Sequence, residues 1–248
     1  MHDDFFLDTS IAIRRIENSP NGESVRNYLS NKTLFTSTFV LMEFKRTVLL
    51  DAVSLYTILK EEQTLDDVYW RLKDTPNDTV TEKVAQRWIL LLSLLDYPRN
   101  KDKRKAIARL ENYIRYSLIY EFKKNVNLIE SKTLCNLAYC KPYKKADRYK
   151  LDMVCQEDKC NIQNVIIEND MIFEKILKVI DSSHEPFFKD LSSIINEVFD
   201  DISNMKKEYC STLGDVIIAI DSDNMKLCSS DHHFNLICQS MDKSVVIL

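Results

Sequence analysis

The sequence predicts an α/β fold: an open parallel sheet flanked by helices, with a large helical insertion. Three observations carry this. Short β-like runs sit at the two ends of the chain, Phe5-Phe6-Leu7 and Leu34-Phe35-Thr36 near the start, Lys226-Leu227-Cys228 and Ser244–Leu248 near the finish. Between them, apolar residues recur at three-to-four spacing, the period of helices that bury one face. Glycine is scarce, with 2 in 248 residues, and proline numbers 5, so few positions suit the positive-φ turns of hairpins. Strands joined by crossover helices are the expected outcome.

Taken in order, Phe5-Phe6-Leu7 gives a first strand and residues 9–18 a helix, stopped by Ser19-Pro20-Asn21-Gly22. Leu34-Phe35-Thr36 is a second strand. Helical periodicity then covers 38–50, 52–73, 79–96 and 102–125, with breaks at Thr75-Pro76-Asn77 and Tyr97-Pro98. It resumes over 170–181, 187–204 and 213–221, interrupted at Glu185-Pro186. The last two strands close the chain. Residues 1–51 and 206–248 are therefore expected to form a split α/β core. Residues 52–205 are expected to be a helical insertion with no strand, containing a cysteine group at 135–160.

Composition narrows the function classes. Hydrophobic residues at 45% and charged residues at 29% match a soluble globular protein. Met1-His2-Asp3-Asp4-Phe5 has neither the basic nor the long apolar region of a signal peptide, and the longest apolar stretch, Trp88–Leu95, is too short to span a bilayer. A cytoplasmic protein without a membrane role is expected. Seven cysteines there suggest thiols or metal ligands rather than disulfides. The net charge of −4 means that any nucleic-acid contact must rest on local basic patches.

Four acids stand just beyond predicted strands or on the helices after them. Asp8 follows the first strand. Glu43 lies within the apolar run Phe39-Val40-Leu41-Met42-Glu43-Phe44. Asp215 opens the helix 213–221, and Asp231 follows the third strand. Singly, each has an ordinary explanation: Asp8 and Asp231 as N-caps, Asp215 in a capping box with Thr212. Together they point elsewhere, because strand carboxyl ends in an open α/β sheet converge on one ligand crevice. Two like charges about 4 Å apart cost roughly 4 kcal/mol at an effective dielectric of 20, so such a cluster wants a cation. Hard oxygen ligands select Mg²⁺ or Mn²⁺, and carboxylate-held divalent ions hydrolyse phosphodiesters.

These residues carry a resemblance. Leu7-Asp8-Thr9-Ser10 resembles the opening of PIN-domain nucleases, and Ser37-Thr38-Phe39-Val40-Leu41-Met42-Glu43 their second acidic motif. Gly214-Asp215-Val216-Ile217-Ile218-Ala219, with Asp231 in Ser229-Ser230-Asp231-His232-His233-Phe234, is similar to their closing pair. The resemblance implies a PIN-like sheet cleaving RNA, sometimes DNA, with Mg²⁺ or Mn²⁺ on Asp8, Glu43, Asp215 and Asp231. Many members carry a further acid two residues after the last Asp. Here that position is His233, which together with His232 is expected to be a neutral surface histidine.

Cys135, Cys140, Cys155 and Cys160 form C-x₄-C-x₁₄-C-x₄-C, the layout of a Cys₄ site for structural Zn²⁺, with four unrelated thiols as the alternative. The segment around them, 130–165, offers few apolar anchors. Cys210, Cys228 and Cys238 read as core thiols. Between the second and third cysteines, Lys141, Lys144, Lys145 and Arg148 interleave with Tyr143 and Tyr149, which suits phosphate neutralisation and base stacking, or a plain solvated face. Arg99, Lys101, Lys103, Arg104, Lys105 and Arg109 form a second basic run. Lys45 or Arg46, a turn beyond Glu43, could hold the scissile phosphate, and Thr9, Ser10 and Ser229 could orient ligands. The expectation is a metal-dependent nuclease, RNA before DNA as substrate, with a protein inhibitor or self-association possible. A non-catalytic RNA-binding or scaffold module and a DNA nuclease stand as alternatives.

Overall fold

A computed structural model describes residues 4–74, 82–156, 160–181 and 183–248. The break expected at Thr75-Pro76-Asn77 lies outside the described residues.

Strand β1 (Asp4–Leu7) buries Phe5, Phe6 and Leu7 together, as a central strand covered on both faces must. Helix α1 (Thr9–Ile16) starts at once, with Asp8 as its N-cap. Helix α2 (Pro20–Leu29) begins where a break is expected. Ser19 caps it by accepting from Gly22 N, and Pro20 stands at its first position, where a missing N–H costs nothing. Strand β2 (Thr33–Ser37) runs straight into α3 (Thr38–Phe44), capped by Ser37. A π-helical turn, Lys45–Leu49, then leads into α4 (Leu50–Glu61) without leaving helical backbone.

Helices α5 (Leu65–Asp74), α6 (Glu82–Leu94) and α7 (Lys103–Asn112) come next, and a second π-turn, Tyr113–Ser117, joins α7 to α8 (Leu118–Lys123). After them stand strand β3 (Asn127–Ile129), a 3₁₀ turn at Asn136–Tyr139, and a hairpin of β4 (Tyr143–Lys145) and β5 (Arg148–Lys150). The hairpin turns without glycine, through Ala146 at φ 53°. Helices α9 (Ile162–Glu168), α10 (Asp170–Ile180), α11 (Pro186–Asp200), α12 (Tyr209–Thr212) and α13 (Gly214–Asp221) lead to β6 (Lys226–Ser229), α14 (His233–Ser240) and β7 (Val245–Ile247).

The main sheet is wholly parallel, in the order β3-β2-β1-β6-β7. From β1 the chain works outward through β2 to β3, then returns past β1 to lay down β6 and β7. Strand order therefore reverses between β1 and β6, and their carboxyl ends open the crevice where α/β sheets bind ligands. One expectation is overturned here. The middle of the chain is expected to be strandless, yet the β4–β5 hairpin lies in it, and so does β3, which pairs with β2 from Phe35↔Asn127 to Ser37↔Ile129. Pairing partners about ninety residues apart leave no local trace in a three-residue strand. The expected capping box is also absent, since Leu213, not Thr212, precedes α13 and no side chain caps it.

The middle is further joined to the sheet by aromatic packing. Phe122 on α8 is buried, and its ring centroid lies 4.8 Å from that of Phe44 on α3. The segment around the cysteines, expected to lack anchors, buries Leu137, Ala138, Tyr149, Leu151, Ile162 and Val165 in the main core. Among the described residues no helix is long and apolar enough to cross a membrane. Phe122→Ala should cost about 3–5 kcal/mol, the usual range for a buried Phe. If the middle shares one cooperative core with the sheet, urea unfolding monitored by fluorescence and by circular dichroism should shift as one transition. Two separated transitions would make the middle an independent unit.

Candidate active site

Asp8, Glu43, Asp215 and Asp231 all line one cleft of about 650 Å³ at the carboxyl ends of β1 and β6. Four separate elements deliver them. Asp8 is the residue after β1, Glu43 rides on α3, Asp215 stands in the first turn of α13, and Asp231 sits in the turn after β6.

Asp8 is the most deeply held. One carboxylate oxygen, Oδ1, accepts from Ile11 N at 2.9 Å and from Ser10 Oγ at 2.8 Å; Oδ2 accepts from Ser229 Oγ at 2.6 Å. Both hydroxyls are in turn fixed from the β6 side. Ser229 Oγ accepts from Asp231 N at 2.8 Å, and Ser10 Oγ accepts from Ser230 N at 2.9 Å. The expected orienting role of Ser10 and Ser229 is thus given a geometry: they tie the end of β1 to the turn after β6. Asp8 caps its helix and faces the cleft at once, so the ordinary explanation and the functional one coincide. Burial raises its pKa from 3.8 to about 6. The hydrogen bonds from Ser229, Ile11 and Ser10 work against that rise, and the charge of Asp231 adds to it.

Glu43 accepts from Thr9 Oγ1 at 2.5 Å. Burial raises its pKa too, with Thr9 and Arg46 lowering it and Asp8 raising it. A Cβ added at Gly214 would come within 2.8 Å of Glu43 Oε1. A side chain at Gly214 would have to push the Glu43 carboxylate aside.

Asp215 and Asp231 meet at His233. Its Nδ1 lies 3.1 Å from Asp231 Oδ1 and 3.9 Å from Asp215 Oδ2, and its Nε2 lies 3.4 Å from Glu185 Oε2. The ring stacks on Phe187, with centroids 4.0 Å apart and planes 7° from parallel, and meets Phe188 edge-on. Among the described residues, Asp215, Asp231 and His233 form the one group of three potential ligand atoms within 4.8 Å of one another. His233 is therefore not the surface histidine expected; His232 is exposed. An imidazole with one nitrogen toward two carboxylates and the other toward a third matches a metal-ligating histidine backed by an outer carboxylate. The donor set fits a divalent ion, with two oxygens and one nitrogen.

Other expected contacts fall elsewhere. Lys45 is turned inward, and its Nζ donates to Ala138 O and, at 2.8 Å, to Cys140 O. It stitches the end of α3 to the 3₁₀ turn and cannot reach a phosphate in the cleft. Burial lowers its pKa to about 8. Arg46 lines a different cavity, beside Cys135. Lys141, Lys144, Lys145 and Arg148 do not line the acidic cleft; Lys144 pairs with Glu111 and Arg148 with Glu61. The run from Arg99 to Arg109 also lies off the cleft, with Lys101 on Asp66 and Arg109 on Asp96.

Among the described residues, the arginines and lysines that line the cleft are Arg14 and Arg87. Arg14 Nη1 donates to Leu248 O at 2.5 Å, and Arg87 Nε to Asp51 at 2.5 Å. Arg14 was findable, since Ser10, Ile13, Arg14 and Glu17 fall at helical spacing after Asp8. Arg87 and Glu185 arrive from distant helices and leave no local sign. No family model, curated protein or solved structure matches the chain.

The raised pKa of Asp8 gives a pH test. Its proton is held more tightly in the folded chain than in the unfolded one, so its contribution to stability is full below pH 3.8. That contribution is lost as pH rises through about 6. The shift corresponds to about 3 kcal/mol. In chelator, the wild type should lose more stability than Asp8→Asn between pH 4 and pH 7 (urea unfolding at each pH). Parallel curves for the two proteins would remove Asp8 as a strained carboxylate.

Proposed function

We propose that this chain is a metal-dependent nuclease of PIN-like architecture, cutting RNA endonucleolytically. The observation that carries the reading is the meeting of Asp8, Glu43, Asp215, Asp231 and His233 in one cleft at the reversal point of a parallel sheet. The choice of RNA over DNA rests on the PIN-like resemblance of the four acidic motifs.

Asp215, Asp231 and His233 are the ligands for a divalent ion, with Glu185 orienting the imidazole. When bound, that ion supplies positive charge to the phosphate and lowers the pKa of a water. Asp8, locked by Ser10 and Ser229, sets the spacing between the β1 and β6 sides of the cleft. Glu43, held by Thr9, is placed to take a proton from the attacking water. Arg14 and Arg87 replace Lys45 and Arg46 as the cations that meet the phosphate backbone. Attack by water on phosphorus leaves a 5′-phosphate and a 3′-hydroxyl.

An imidazole in place of a carboxylate favours ions that tolerate nitrogen, so Mn²⁺ should support faster cleavage than Mg²⁺. Labelled RNA incubated with purified protein should be cut with Mn²⁺ and left intact in chelator. Asp215→Asn should reduce the rate at least about 100-fold, roughly 3 kcal/mol of barrier. His233→Asp should move the preference toward Mg²⁺. Gly214→Ala, which displaces the Glu43 carboxylate, should slow cleavage with little change in Tm. Cleavage in chelator, or a 2′,3′-cyclic phosphate product, would overturn the mechanism.

A further inference from the structure

The cysteines do not group as their spacing suggests. Cys135, Cys155, Cys160 and Cys210 line a single cavity of about 360 Å³, and Cys140 is not among its walls. Cys140 ends the 3₁₀ turn that begins after Cys135. At about three residues per turn, positions five apart fall about a third of a turn out of phase. Its carbonyl is held by Lys45, and its side chain packs against the main core. The fourth member comes from far along the chain: Cys210 on α12, expected to be a core thiol, is half-buried and hydrogen-bonded to Cys160.

The setting is built around these sulfurs. Asn161, next to Cys160, donates its backbone N–H to Thr133 O at 2.8 Å and its side-chain amide to Lys132 O at 3.0 Å. The loop bearing Cys160 is thereby pinned to the segment bearing Cys135. The described chain from 151 to 156 adopts neither helix nor strand, so backbone ladders do not account for the position of Cys155. None of the four is in a disulfide. Arg46 and Lys207 stand in the cavity wall, two cations beside a group that would carry a formal charge of −2 with Zn²⁺ and four thiolates.

We infer that Cys135, Cys155, Cys160 and Cys210 together bind one structural Zn²⁺. Soft thiolates select zinc among abundant divalent ions, and four of them leave no open position for water. No three of the four sulfurs lie within 4.8 Å of one another, so binding would draw them together to about 2.3 Å from the ion. Phe39, Met42 and Arg46 line this cavity, whereas Glu43 and Thr47 of the same continuous helix line the acidic cleft. Cys210 lies just ahead of α13, which carries Asp215. The zinc therefore clamps, from behind, two of the helices that bring carboxylates into the cleft. The inference stands whether or not the cleft hydrolyses RNA.

Elemental analysis of the full chain, purified without added metal, should find about one zinc per molecule. Cys210→Ser and Cys155→Ser should lose it, and Cys140→Ser should keep it. Should the first two variants fail to fold, wild-type chain stripped of metal and refilled with Co²⁺ gives a second readout. A tetrahedral tetrathiolate shows strong sulfur-to-cobalt charge transfer and intense visible bands, and Cys140→Ser should leave that spectrum unchanged. Zinc lost from Cys140→Ser but retained in Cys210→Ser would overturn the assignment. So would a metal-free native protein, a cobalt spectrum without thiolate bands, or a Cys160–Cys210 disulfide in the protein as isolated.

Discussion

The constraint on which the structure depends is the need to hold several carboxylates in one poorly solvated cleft. Asp8 bears it most directly. It is 4% exposed, with charged neighbours, and its pKa sits near 6 despite three hydrogen-bond donors. Those donors are costly to arrange, because they come from two strand ends that meet only when β6 returns to the centre of the sheet. The Ser10 and Ser229 hydroxyls each accept from one backbone N–H and donate to the carboxylate, so Asp8 is held only when both strand ends are in place. The same return of the chain creates the reversal of strand order that opens the cleft. Sheet topology and carboxylate placement are one arrangement.

Around that centre the helices act as spacers. Helix α3 continues from β2 without a loop, so Glu43 is fixed by strand geometry rather than by a flexible connection. The π-turn at Lys45–Leu49 comes directly after it. A π-turn carries an extra residue relative to an α-turn and rotates the downstream residues about the helix axis. Here Lys45 is turned into the protein and bonds the 3₁₀ turn, whereas Thr47 stays on the cleft. Regular helical spacing separates the two faces: Thr47, four residues after Glu43, falls on its side, and Lys45, two residues after it, on the opposite side.

Four of the five strands of the main sheet are legible as apolar runs, and the four acids are legible from their positions after strands. The features that escape the sequence have identifiable causes. Strand β3 is three residues long and starts on a polar Asn127, so its character comes from its partner Phe35-Thr36-Ser37. Helix α2 escapes because Ser19-Pro20 reads as a stop, although a capping serine before a proline marks a helix start equally well. The inward turn of Lys45 is consistent with plain helical spacing, which puts a residue two positions after Glu43 on the face away from it. The cysteine set escapes because sequence spacing favours neighbours, and Cys210 lies fifty positions beyond Cys160. His233 escapes because its partners, Glu185, Phe187 and Asp215, come from other parts of the chain.

His233 also changes the electrostatic balance of the cleft. A carboxylate at that position would add a further negative charge to a site where burial already raises the pKa values of Asp8 and Glu43. An imidazole carries no negative charge in any protonation state, and one that ligates offers a lone pair to an ion lodged between Asp215 and Asp231. The cleft is then less repulsive when empty and needs less cationic charge when filled. Its stacking on Phe187 and its contact with Glu185 leave the ring little freedom, so the nitrogen keeps its aim without an ion to hold it. A site so arranged trades affinity for the hardest ions against a preformed geometry, and that exchange is a physical reason for a histidine to stand where an acid could.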